Sequence, residues 1–106
     1  MNTLKYSIGA VVTLAIGDDD LPVFGEVKEI IVYNTNNIIF LTEVLSTDQF
    51  HHHYHAYKVS RMEHKKWHVI HYSSLVDHIP LSLLQSCDVS LLGSYFVLPR
   101  YNINWT

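Results

Sequence analysis

Cysteine is almost absent from this chain. Cys87 stands alone in 106 residues, so no intramolecular disulfide can staple the fold, and a lone thiol points to a reducing compartment. Glycine is sparse too, and the four present (Gly9, Gly17, Gly25 and Gly93) are too scattered to form a phosphate-cradling loop. Basic residues are few: seven Lys and Arg stand against ten Asp and Glu, for a net charge of −3. The one dense cationic stretch, Lys58, Arg61, Lys65 and Lys66, is interrupted by Glu63. Phosphate-dominated binding demands more than this, which disfavours nucleic acid as a partner. No apolar run approaches the roughly 18–20 residues of a membrane helix, and Met1–Ser7 lacks the charged-then-apolar pattern of a signal peptide. The expectation is one domain over residues 1–106, intracellular (nuclear or cytoplasmic), with no membrane partner.

What is present is β-forming material, with hydrophobic residues making up 48% of the chain. Val23–Tyr33 and Ile38–Leu45 are two runs of β-branched and aromatic residues around Asn34-Thr-Asn-Asn37. Asn tolerates left-handed backbone angles, so the pattern predicts an antiparallel hairpin. Within the first run, Gly25 and Val27 share one parity and Ile30 and Val32 the other. That flip at Lys28-Glu29 predicts a β-bulge. Gly9–Ile16 alternates as a half-buried strand should, and Gly17–Pro22 is a loop carrying Asp18, Asp19 and Asp20. Ser46–Phe50 reads as a break, His51–Ser60 as a polar-aromatic strand, Arg61–Lys66 as a charged turn and Trp67–Tyr72 as a further strand. Ser73–Asp77 has the composition of one helical turn, Pro80–Ser86 is either a short helix or extended, and Gly93–Pro99 is a final strand. The predicted fold is all-β: a small, SH3-like, partly open barrel of five or six antiparallel strands with a short helical turn and a C-terminal strand.

A strand, an acidic loop, then Phe24-Gly25-Glu26-Val27 with the following Ile30 and Val32, an Asn-rich turn and another apolar strand resembles the SH3-like barrels of Tudor, BAH and related chromatin-reader modules. The resemblance covers roughly Gly9 to Tyr72. The chain is also similar, through Phe24–Ile31, Ile39-Phe-Leu41, His55-Ala-Tyr57 and Val97–Tyr101, to uncharacterised domains of transposase-derived animal proteins, which implies no activity. The reader resemblance implies capture of a basic or methylated peptide by aromatic rings beside carboxylates.

Three sets of residues carry candidate chemistry. Asp18, Asp19 and Asp20 can meet a basic peptide, although a hydrated loop is the plainer reading; their spacing is not that of an EF-hand. Tyr33 and Tyr57 are polar-tipped rings at strand ends, the preferred aromatic contacts, against the alternative that such rings fill the core. His51-His-His-Tyr-His55 would place His51, His53 and His55 on one face of a strand, where imidazoles two apart reach one metal; a solvated strand is the competing reading. No nucleophile elbow or matched carboxylate pair for acid–base work is recognisable, and no cofactor is implied. The expected function is a protein-interaction module for a basic or methylated peptide. The alternatives are an assembly domain forming homo-oligomers through an edge strand or the apolar Ile38–Leu41 and Leu81–Leu84 stretches, and a His-rich metal-binding domain.

Overall fold

Two long strands organise the molecule. The computed structural model describes residues 6–34, 37–52, 55–85 and 95–98. β2 (Pro22–Asn34) and β3 (Asn37–His51) form the antiparallel hairpin that their β-branched content predicts. At its turn the Asn37 side-chain amide donates to Asn34 Oδ1 at 2.7 Å. The bulge falls where the parity flips, since the register shifts between Val27 and Glu29. The extra residue bends the hairpin and keeps both halves of β2 in phase with a core.

β1 (Val11–Ile16) lies beside β2, with β6 (Asp77–Leu81) on its other side. The half-buried alternation expected here is corrected: Val11 and Val12 are both fully buried. The physical reason is that the curled sheet has a core on each face. Val12, Leu14, Val27, Phe40, Val44, Ile70 and Leu75 form one core, and Val11, Phe24, Leu45, Val59 and Val97 form the other. The Tyr6 ring lies 4.9 Å from Phe40 and its hydroxyl donates to the His78 carbonyl, closing the first core. Burial, with Tyr72 and Asp77 nearby, pushes the Tyr6 phenol up to about 12, so it remains a donor at neutral pH.

Two further expectations are corrected. Ser46–Phe50 is not a break, because β3 runs through it and pairs with β4 (Ala56–Arg61). A second bulge between Thr47 and Gln49 and a 2.6 Å bond from Thr47 Oγ1 to the Pro22 carbonyl let this polar stretch stay in the sheet. The strand expected over His51–Ser60 begins only at Ala56, since the chain turns just before it and His55 takes a φ of +53°. β5 (Trp67–His71) pairs with β3 over Ile39–Glu43, and a single 3-10 turn, Tyr72–Ser74, follows, capped by the His71 side chain.

The Pro80 region resolves as extended. β7 (Leu83–Gln85) follows β6 after one residue, and β8 (Tyr95–Val97) is the last described strand. The sheet order is β6-β1-β2-β3-β4-β8-β7, with β5 on β3 off this path. Its two ends, β6 and β7, are therefore consecutive in the chain, and Leu81 and Leu83 both pack on the second core. The result is an all-β, SH3-like, partly open barrel: a curled antiparallel sheet whose ends are drawn together by one stretch of backbone. No helix among the described residues is long and apolar enough to cross a membrane.

Candidate interaction surface

The long hairpin presents one continuous face whose two halves have different fates. Residues directly opposite in an antiparallel sheet share a face. Pairing of Ile31 with Ile39 and of Ile39 with His71 sets one row, and Glu29, Leu41 and Val69 form the next. Glu26, Glu43 and Trp67 follow, and then the face continues to Leu45 in the second core. Beyond Glu43, β4, β7 and β8 cover the face. Before it, no described element does: Ile31 is 51% exposed, Val69 62% and Trp67 52%. Core-type side chains thus extend past the edge of the core into solvent.

A charge cluster marks that boundary. Glu26 and Glu43 are cross-strand partners, and the Glu43 side chain is wholly buried. Arg61 Nη1 reaches Glu26 Oε1 at 2.7 Å and Glu43 Oε1 at 3.3 Å, and Lys28 Nζ reaches the same two oxygens at 3.1 and 3.5 Å. Lys65 Nζ lies 3.8 Å from Glu43, and the Arg61 guanidinium sits 5.3 Å above the Tyr95 ring. Burial pushes the Glu26 carboxyl up, but hydrogen bonds from Arg61 and Lys28 and their charges outweigh it, leaving its pKa below the ordinary value. The hydrogen bond to Glu26 in turn raises the Arg61 pKa above its ordinary value. The Glu26 carboxylate held this way is a poor base, because protonating it sacrifices bonds to two cations. The second oxygen of Glu43 is buried without a hydrogen-bond partner. The cluster ends the core and supplies a polar rim to the exposed apolar patch.

The residues singled out from the sequence do not meet at one place. Asp18–Asp20 lie in the tight loop before β2, where the Leu21 amide donates to Asp19 Oδ1 at 3.0 Å and Asp20 takes a φ of +64°. Tyr33 sits at the opposite end of β2, about 30 Å along the strand. Tyr57 is half-buried, with its ring 5.6 Å from Phe24 and 5.1 Å from Phe50. It lies beside the second core, whereas the cleft next to the acidic loop opens over Val23, Val44 and Met62 of the first. That cleft, of about 350 Å³, has Asp18, Asp19 and Lys66 among its walls.

Of the histidine run, His51 ends β3 and His55 takes the left-handed conformation just before β4, while His53 lies outside the described residues. No group of three or more potential metal ligands is brought together among the described residues.

The charge cluster escaped the sequence reading because Glu26, Glu43 and Arg61 lie on three different strands. One signal was available: Glu26 and Glu43 interrupt apolar runs at positions where the hairpin register places them side by side. Comparison with protein-family models, with curated proteins and with solved structures gives no match, so the surface is read from its own geometry.

Proposed function

We propose that this chain is a protein-interaction module that docks its partner on the outer face of β2, β3 and β5. The observation that carries this reading is the set of apolar side chains Ile31, Val69 and Trp67, each more than half exposed around the half-buried Leu41, on a sheet whose continuation is packed core. A contiguous apolar patch rimmed by charge is the usual mark of an interaction site on a small domain. The patch is strand-built and exposed, which fits a protein surface better than a small molecule.

The test is site-specific photo-crosslinking in the cells of origin. A photoreactive residue replacing Ile31 should give discrete cross-linked species, including any species that contains two copies of this chain. One replacing Val76, exposed but off this face, should not. Equal background at both positions would remove the reading.

A second reading, a basic or methylated peptide lying against Asp18 and Asp19, is favoured by the cleft over Val23, Val44 and Met62. Its chemistry is a cation between carboxylates above an apolar floor. Titration with lysine-rich and methylated peptides should shift resonances of Asp18, Asp19 and Met62. No shift at millimolar peptide would sink it.

A further inference from the structure

The free side of β5 is a pairing edge, and its occupant can be argued from the register. The Val44 amide donates to the Lys66 carbonyl at 2.8 Å, and the His68 carbonyl accepts from Thr42 Oγ1 at 2.8 Å. In an antiparallel ladder, facing residues alternate between pairs that exchange hydrogen bonds and pairs that turn their N–H and C=O groups outward. With Val44 and Lys66 bonded, the pairs Thr42–His68 and Phe40–Ile70 are bonded as well. Trp67, Val69 and His71 therefore aim their backbone groups away from β3. No described residue pairs with that side. The register of β5 on β3 is uninterrupted, and β5 contains no proline, glycine or bulge. β6, by contrast, carries Pro80, which removes a donor and blunts an edge.

We infer, on the footing that the β2-β3-β5 face is an interaction surface, that β5 pairs antiparallel with β5 of a second copy of this chain about a two-fold axis at Val69. The sequence is compatible with itself in this register. Val69 meets the partner's Val69, and Trp67 meets the partner's His71, so all three outward-aimed residues on each side find outward-aimed partners. Lys66 and Lys65 fall opposite the partner's Tyr72 and the partner's Ser73, so no like charges oppose one another. The closed two-fold contact is isologous and consumes both edges. It also joins the two exposed apolar rows into one six-stranded face. Self-pairing is chosen over a foreign strand because this complementarity can be read on both partners.

The experiment uses the full chain in sedimentation velocity from about 1 μM to about 1 mM, with tryptophan emission and circular dichroism on the same samples. The mass should rise from one copy to two with concentration, with Trp67 emission moving to the blue. Val69→Pro removes only an outward-aimed N–H, so pairing with β3 survives while the edge is blocked. Val69→Lys leaves the backbone intact and sets two ammonium groups opposite each other at the axis. Each variant should weaken dimerisation at least about tenfold with the fold retained. If Val69→Pro does not fold, Val69→Lys decides. A wild type that remains monomeric, or a dimer that survives Val69→Lys, overturns the self-pairing. Should the wild type stay monomeric while Ile31 cross-links to a different protein, the interaction reading stands without self-pairing; should Ile31 cross-link to nothing while a dimer sensitive to Val69→Lys forms, the edge pairing stands and the reading of the face falls.

Discussion

Arg61→Ala should cost this protein about 2–3 kcal/mol of stability, more than removal of any other surface cation. Breaking one partner from a buried ion pair costs roughly 3–5 kcal/mol, because the remaining charge is stranded. Here the Arg61 side chain is itself about one-third exposed and Lys28 stays in place, which reduces the figure. What is stranded is the Glu43 carboxylate, wholly buried, facing Glu26 across the strand pair. The contact with the Tyr95 ring is lost as well. Lys65→Ala, on a side chain more than half exposed, should change stability by less than about 0.5 kcal/mol. Adding Glu43→Gln to Arg61→Ala should recover about 1 kcal/mol, since it removes the orphaned charge.

The same cluster sets a pH dependence. The folded pKa of Glu26 lies below its ordinary value of 4.5. A depressed folded pKa means that the folded state binds fewer protons than the unfolded chain, so the stabilisation is fully present above about 4.5 and is lost as pH falls through the lower folded value. Urea midpoints between neutrality and strong acid should therefore fall mainly below pH 4.5, and Arg61→Ala should flatten that fall. Equal acid loss in both proteins would mean that the cations do not hold the carboxylate.

Gly25→Val should cost about 3 kcal/mol, and Gly25→Ala about 2 kcal/mol, both by overpacking. A Cβ built on Gly25 comes within 2.9 Å of Leu14 Cδ1 and 2.9 Å of Thr42 Cβ. The Leu14 methyl can swing away, but Thr42 Cβ is fixed to the backbone of β3 and cannot. Leu14→Val alongside Gly25→Ala should consequently recover only part of the loss. The check is the urea midpoint at constant slope; full recovery would show that Leu14 alone sets the constraint.

Gly25 also shows which features were legible in sequence. Phe24-Gly25-Glu26-Val27 looked distinctive as a pattern, and each residue has a separate duty. Phe24 enters the second core, Gly25 admits Leu14 and Thr42, Glu26 joins the charge cluster, and Val27 enters the first core. Period-two alternation and its flip were enough to place the hairpin and its bulge, because those signals are local. The continuation of β3 through Ser46–Phe50 was not legible. Polar residues there are held by pairing to β4 and by Thr47, which are tertiary effects that local propensity does not report. The histidine run was read at a strand's period; His55 takes a positive φ just before β4, which period-two reading does not foresee, and His53 lies outside the described residues. The exposed face was half visible. Ile38–Leu41 stood out as apolar, yet only the pairing with β5 shows that Ile39 and Leu41 face outward while Phe40 is buried.

The central claim, that the outer face of β2, β3 and β5 serves association rather than folding, is tested most directly by Ile31→Lys. Ile31 is half exposed, lies on the β2 side of that face and touches neither core. Melting and association should be measured on the same preparation. A melting temperature within about 2 °C of wild type, together with loss of the Ile31-dependent complexes, is the predicted result. A variant that still forms those complexes would contradict the account; persistence of the β5-edge dimer, two strands away from Ile31, would not.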